Sequence, residues 1–404
     1  MKILLSAYAC EPNRGSEPGV GWNWALEIAQ RGHEVIVITR SNNKKLIDNA
    51  NYDRERITFL YHDFPGYLIK LKKIIGVNLY YVLWQITLLS KIRKFKKMDI
   101  DVIHHITFGV FRNISYLPFF MNKPFIFGPV GGGEFSPKNL TKVFSVKYRI
   151  FEFIRLTLNL VTYYSPIYRL FLKKTVLIVC KTPQTLEYIP PKYRIKTMLS
   201  LEIGVKQMAE VQAFPNVRNR DMKTLLYVGR FLYLKGIELI LETYKIVVEK
   251  DPELKLIFIG EGPEIHFIRD FSEKFGLKNL VIVEWLDKQK LDQYYAMSSL
   301  LLFPSLHDSS GNVVLEALSF GLPVVSLDVG GPKEVIGQGI DTIVPHNNKA
   351  TKELAVDIAE KIKALLANKE LYEVTCEKSF IRSQELTWKK SVERVYIKIE
   401  SKIH

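Results

Sequence analysis

The residues most suited to chemistry stand just after short apolar runs. In Tyr227-Val228-Gly229-Arg230 the run ends in glycine, and Arg230 and then Lys235-Gly236 precede a helical pattern. Two cations and a helix N-terminus converging at one strand end suit an anion such as a diphosphate; a solvated Arg and a solvated Lys are the alternative. A second stretch, Pro304-Ser305-Leu306-His307-Asp308-Ser309-Ser310-Gly311-Asn312-Val313, puts an acidic residue after a strand and a glycine where backbone can approach a ligand closely. Amides of Gly311, Asn312 and Val313 would face the diphosphate. Glu316 follows Asp308 by eight positions, on a helix among apolar neighbours. A carboxylate there needs a partner. The paired hydroxyls of a ribose are one, a structural ion pair or cap another; Asp308 likewise reads as a ligand contact or a turn residue.

The first half has its own candidates. Gly15–Trp22 places Gly19 and Gly21 between a first strand and a first helix, a place for close approach to a substrate. It lacks the G-x-G-x-x-G pattern, and strand two ends in Thr39-Arg40 without an acidic residue, so a dinucleotide-binding dehydrogenase is disfavoured. Asp101–His105 reads as a strand ending in two histidines whose side chains alternate between opposite faces. At most one of His104 and His105 faces a site; each reads equally as a hydrogen-bonded structural histidine. Gly128–Glu134, and in the second half Gly260 and Gly262 of Gly260-Glu261-Gly262-Pro263, add glycine loops at strand ends. Together they predict a backbone-lined cleft. No paired His spacing suggests a metal site, and none is expected.

The elements that would position these residues alternate strand and helix. The first half begins βαβ, with strands at Ile3–Ala9, His33–Thr39, Ile57–Tyr61, Asp101–Thr107, Pro124–Val130 and Thr175–Cys180. The second half repeats βα units from Thr224 to Leu366, with Trp388–Ile403 as a lone amphipathic helix. This pattern predicts two doubly wound, Rossmann-like α/β domains, with ligands at the C-terminal strand ends and in a cleft between them. The expected boundaries are 1–200, 201–380 and a terminal segment 381–404, with the polar stretch Glu202–Asp221 as linker. A length of 404 residues fits two domains.

Charge is uneven. Residues 1–200 carry 30 basic and 13 acidic side chains, and residues 201–404 carry 27 and 29. An anionic partner for the first half follows, and without zinc-finger, RNP or basic-zipper signatures nucleic acid is not expected. Ile74–Ser90 is largely apolar, aromatic-rich and flanked by Lys70, Lys72 and Lys73 and by Lys91, Arg93, Lys94, Lys96 and Lys97. Too short and interrupted to span a bilayer comfortably, it suits an interfacial helix; Phe151–Lys174 is a second such stretch. Both read equally as core helices with solvated lysine ends. No signal peptide is read, and three widely spaced cysteines fit a reducing cytoplasm.

Taken together, V-G-R with K-G downstream, G-E-G-P, and P-S-x-x-D-x7-E-A-x-x-x-G-x-P-V-V resemble the nucleotide-sugar glycosyltransferases of glycosyltransferase family four, which have the GT-B fold. Gly15–Trp22, His104–Gly109 and Gly128–Glu134 look like a bacterial branch that builds surface polysaccharides. The resemblance implies that Arg230 and Lys235 hold and neutralise the donor diphosphate. It implies that Glu316 binds the ribose hydroxyls and that Asp308 stands where the family has a sugar-contacting glutamate. Gly229, Gly260, Gly262, Gly311, Asn312 and Val313, with Gly19 and Gly21 from the first half, would line the donor. Relatives end the corresponding first-half strand in H-x-H; here that second place is Ile106, and His105 is preferred as the sugar contact. It further implies transfer with retention of configuration, no metal or other cofactor, and a final helix returning to the first domain. The expected protein is cytoplasmic and peripheral on the inner face of the cytoplasmic membrane, with a lipid-linked or oligosaccharide acceptor and an anionic membrane surface as partners. A nucleotide-sugar epimerase on the same fold would instead convert donor alone. A non-catalytic membrane-binding scaffold would bind liposomes and no nucleotide sugar.

Overall fold

The computed structural model describes residues 1–65, 71–206, 220–284 and 286–403, without the side chains of 71–74 and 143. The flanking Lys70, the side chains of Lys72 and Lys73, and the middle of the stretch between Glu202 and Asp221 lie outside what is described. The chain divides into two units. One comprises Met1–Gly133, Thr157–Ile203 and Trp388–His404; the other comprises Glu134–Leu156 and Gly204–Thr387.

The first unit is built on a seven-stranded sheet. Its strands are β1 (Lys2–Ser6), β2 (Glu34–Thr39), β3 (Ile57–Tyr61), β4 (Val102–His105), β5 (Phe125–Val130), β6 (Thr175–Cys180) and β7 (Thr197–Leu199). Their order is β3-β2-β1-β4-β5-β6-β7, all parallel. Strands covered on both faces read as nearly continuous apolar runs, which is why KILLS and EVIVIT declare themselves. Strand order reverses between β1 and β4, the place where open α/β sheets hold ligands.

The second unit's sheet contains β8 (Asp221–Val228), β9 (Lys255–Ile259), β10 (Leu280–Val283), β11 (Ser298–Leu302), β12 (Val324–Leu327) and β13 (Ile343–Val344). The order is β10-β9-β8-β11-β12-β13, again parallel, with the reversal between β8 and β11. Helix Ile237–Lys250 buries Ile237, Ile240, Leu241, Tyr244 and Val247, the spacing of one helical face. It starts from Gly236 at φ 70°, where a Cβ would sit 2.3 Å from the Pro304 carbonyl oxygen. Only glycine fits that join.

Three differences from the sequence reading have physical causes. Residues 134–156, expected in the first domain, belong to the second unit. Tyr148 stacks on Tyr233 with ring centroids 3.9 Å apart and donates its hydroxyl to Glu264 at 2.7 Å, while Tyr233 donates to Glu152. Helix Ser16–Gln30 begins earlier than expected, so Gly19 and Gly21 are helical, not in a turn. A Cβ on Gly19 would meet the Arg14 carbonyl oxygen at 2.1 Å, and one on Gly21 the Ala9 oxygen at 2.2 Å. Their smallness seats the loop against the helix. Finally, much of Ile74–Ser90 is not surface. In helix Leu71–Leu88 the side chains of Tyr80, Tyr81, Trp84 and Leu88 are core, and no helix among the described residues is long and apolar enough to cross a membrane.

The last helix, Trp388–Ile403, buries Val392, Val395, Tyr396 and Ile399 and lies in the first unit beside helix Ser16–Gln30. Tyr396 Oη is 3.1 Å from His104 Nδ1, and Arg31 reaches Glu393 and Glu400. Tyr396→Phe is expected to cost about 1 kcal/mol, and Tyr396→Ala about 3–5 kcal/mol, compared by guanidinium unfolding followed by circular dichroism. Equal midpoints for the two variants would show that this helix is not packed through the tyrosine ring.

Candidate functional site

In the second unit the loops after β8 and β11 meet where strand order reverses. Their backbones are bonded to each other: Leu306 and His307 donate to the Leu234 carbonyl at 2.9 and 3.2 Å. Between the loops the Lys235 ammonium pairs with the Asp308 carboxylate. Both side chains are mostly buried, 18% and 16% exposed, so the pair is shielded from solvent. The other Asp308 oxygen accepts from the amides of Ser310 at 2.9 Å and Gly311 at 3.0 Å. Its carbonyl accepts from the Gly331 amide at 2.7 Å. One residue thus ties three strand-end segments.

Helix Asn312–Ser319 starts directly from this turn, with Gly311 as its left-handed N-cap. The Gly311 amide is taken by Asp308, so the amides that open the helix at Asn312 and Val313 are those facing out of its end. Arg230 follows Gly229 at the end of β8 and is exposed. Its backbone carbonyl accepts from Tyr227 Oη at 3.0 Å, which fixes the loop and leaves the guanidinium at the surface. Glu316 lies one turn into the helix. Its Oε2 accepts from Lys288 Nζ at 3.0 Å and Tyr295 Oη at 3.2 Å. The carboxylate is therefore both ion-paired and held in one orientation.

Gly260 and Gly262 have a mechanical explanation. A Cβ on Gly260 would be 2.1 Å from the Gly229 carbonyl oxygen, and one on Gly262 2.4 Å from that of Phe231. Phe231 donates to the Glu261 carbonyl at 2.8 Å. The glycines lock the β8 and β9 loops together and so hold Arg230 in place.

The first unit's candidates divide. His104 and His105 do point to opposite sides of β4, but neither reaches a surface; both are fully buried. His104 Nε2 donates to the Gly128 carbonyl at 2.7 Å and Nδ1 faces Tyr396 Oη. Burial lowers its pKa to about 4, so the ring is neutral. His105 sits among Tyr81 and Phe127, and burial, with His104 adjacent, lowers its pKa to about 3. The preference for His105 as a sugar contact is corrected by this enclosure. At the β1/β4 reversal stand Glu17, which accepts from the Gly109 amide at 3.1 Å, and Thr107, which accepts from the Ala9 amide at 3.1 Å.

Sequence reasoning missed Lys288 and Tyr295, which approach Glu316 from an element 21 or more residues away. It also missed the doublet Gly330-Gly331, on which the Asp308 turn rests; a Cβ on Gly330 would be 2.3 Å from the Asp308 carbonyl oxygen. G-G-P after a strand was the available signal. Among the described residues no group of three or more His, Cys, Asp or Glu is placed to hold a metal ion.

Residues 209–380 match the family described as glycosyl transferases group 1. The sulfoquinovosyl transferase SQD2 of Arabidopsis thaliana is 29% identical over 177 residues, 42% of this chain and 32% of that protein. The chain spans between about a third and under a half of the length of the first curated relatives it matches. Among solved structures, Anabaena Alr3699/HepE in complex with UDP and glucose superposes with a TM-score of 0.60 at 14% identity, over 99% of this chain and 100% of that one. The apo lipopolysaccharide outer core galactosyltransferase WaaB gives 0.62 at 13% identity over the whole of both chains.

The Lys235–Asp308 pair makes a pH prediction. Burial alone would raise the Asp308 pKa, but the Lys235 ammonium and the Ser310 and Gly311 amides outweigh it and hold the carboxyl below its usual value. Its stabilisation is therefore complete above the unfolded value of about 3.9 and is lost as pH falls through the lower folded value. Lys235→Met removes the strongest lowering influence, so the urea midpoint of the variant, read by tryptophan fluorescence, should fall less steeply from neutral to acid pH than that of the wild type. An unchanged pH dependence would contradict the pair. Residues 209–380 therefore match the glycosyl transferases group 1, in a chain whose fold is that of the two-domain GT-B structures.

Proposed function

We propose that the protein transfers a sugar from a nucleotide-diphosphate-sugar to a saccharide acceptor, with retention of anomeric configuration. The observation that carries this reading is the convergence at the β8/β11 reversal of Arg230, the Lys235–Asp308 pair, the opening amides of helix Asn312–Ser319 and the oriented Glu316. Breaking a glycosyl–diphosphate bond builds negative charge on the departing diphosphate and positive charge on the sugar ring. Arg230, Lys235 and the helix amides meet the first charge where it develops. Asp308 meets sugar hydroxyls or the cationic ring once a diphosphate draws Lys235 toward itself. Glu316, turned by Lys288 and Tyr295, accepts from ribose hydroxyls. The HepE structure is a complex with UDP and glucose, so uridine-diphosphate sugars head the donors to test.

The acceptor belongs to the strongly basic first unit. A lipid-linked saccharide diphosphate in surface polysaccharide synthesis fits, because it is anionic and presented at a membrane. Retention needs no protein metal in this reading, since fixed cations and amides supply the electrostatic stabilisation.

The test is release of nucleoside diphosphate from a panel of nucleotide sugars with a lipid-diphosphate acceptor. Arg230→Ala and Glu316→Ala should each lower that release by roughly 10²–10³-fold, and nuclear magnetic resonance of the product should show the donor's anomeric configuration. Activity surviving both substitutions would sink the site assignment. Conversion of donor sugar without any acceptor would instead make the protein an epimerase.

A further inference from the structure

Helix Val146–Tyr164 is amphipathic the wrong way round for a helix of a globular protein. Tyr148, Glu152, Arg155 and Asn159 share one side, and that side is packed on protein. Tyr148 bonds Glu264, Glu152 pairs with Arg155 and accepts from Tyr233, and Asn159 donates to the Gly132 carbonyl at 3.1 Å. Glu152 and Asn159 are buried. The opposite side is apolar: Val146, Ile150, Phe153, Ile154, Val161 and Tyr164 fall on an arc of roughly 100°. All of them are exposed, Phe153 and Val146 by 70% and 67%. The next helix, Pro166–Lys174, continues the theme. It buries Tyr168, Phe171 and Leu172 and exposes Ile167 and Leu170.

An exposed apolar stripe of this length marks a surface with a partner. The surrounding charge names it. From Phe135 to Lys174 the chain holds eight Lys or Arg and a single acidic residue, Glu152, which is turned inward. On the helix, Lys147 and Arg149 border the stripe on either side. A second copy of this face would bring like charges together. Aromatic and aliphatic side chains rimmed by cations are what an anionic bilayer interface accepts.

We propose that helix Val146–Tyr164, with Pro166–Lys174, is an interfacial anchor that inserts its apolar stripe into an anionic phospholipid surface. The Leu71–Leu88 segment does not serve this purpose, because its largest apolar side chains are core. The anchor deepens the acceptor side of the proposed transfer but stands on the helix alone, and its test uses no sugar, so either reading fails without the other.

The experiment is sedimentation of the full-length protein with phosphatidylcholine vesicles, with and without phosphatidylglycerol. The wild type should bind the anionic vesicles at low salt and release as salt screens the cations. The triple variant Ile150→Ser, Phe153→Ser, Val161→Ser should lose binding by roughly tenfold or more while keeping its Tm, since these side chains are exposed. A second readout leaves the stripe intact. Phe153→Cys carrying an environment-sensitive fluorophore should shift to the blue on anionic vesicles; the native Cys10, Cys180 and Cys376 are buried. A wild type that ignores anionic vesicles at low salt, or a label with no shift, would overturn the proposal. So would a triple variant that binds as tightly, or a dimer in solution that the triple variant dissolves.

Discussion

The Lys235–Asp308 ion pair is the constraint on which the second unit's site depends. A carboxylate and an ammonium with most of their surface removed from water are costly apart and tolerable together. The pair closes the gap between the loops after β8 and β11, and Asp308 also bonds the start of helix Asn312–Ser319 and the segment after β12. Lys235 therefore has a partner within the unit itself. In the proposed transfer the donor diphosphate competes for Lys235, and the carboxylate it frees stands beside the helix amides, where the sugar would lie. Where the resemblance implies a glutamate, this chain holds Asp308. The shorter side chain fits this internal turn, since its Oδ1 caps the amides two and three residues on.

The same loops are held by contacts that only glycine permits. Gly260 against the Gly229 carbonyl, and Gly330 against that of Asp308, bring backbone within distances no side chain would allow. Sequence reasoning connects strand-end glycines with ligands because backbone approaches phosphates there. In this chain many of them bring backbone to backbone, and the candidate site residues are positioned as a consequence. Gly19 and Gly21 belong to the same class, inside a helix whose early turns pack against the loop that precedes it.

Elements with an apolar signature were legible, and those without one were not. The buried parallel strands read directly as runs of Ile, Leu and Val. Helix Lys369–Glu385 escaped because its buried face is Tyr372, Thr375, Cys376, Ser379 and Ser383, a stripe of small and polar residues with little hydropathic contrast. Residues 134–156 were placed with the wrong unit because tyrosine contacts across 85 or more positions, Tyr148 with Tyr233, leave no local trace. Within the site, Arg230, Lys235, Asp308 and Glu316 were visible as charged residues at strand ends or among apolar neighbours. Their partners Lys288 and Tyr295 were not, because orientation of a carboxylate is a tertiary property. The adjacent histidines were visible too, yet a strand buried on both faces encloses both of them.

Charge shows what folding adds to a count along the chain. Divided by structural unit, the first holds 30 basic and 14 acidic residues and the second 27 and 28. The asymmetry of the linear halves survives because a basic segment leaves the first unit at residues 134–156 and a basic helix enters it at Trp388–His404. It is therefore a property of the folded unit and not of position in the sequence. In the proposed transfer a nearly neutral unit can still hold a diphosphate, because two placed cations and a helix end would act at contact distance, where a diffuse field adds little. A bilayer is different. It presents many charges over a wide area, and attraction to it sums over every cation within a Debye length. A large, diffuse excess suits a surface, and a few fixed charges suit a ligand. The difference in charge between the two units is the one that the proposed membrane contact and the proposed transfer would each require.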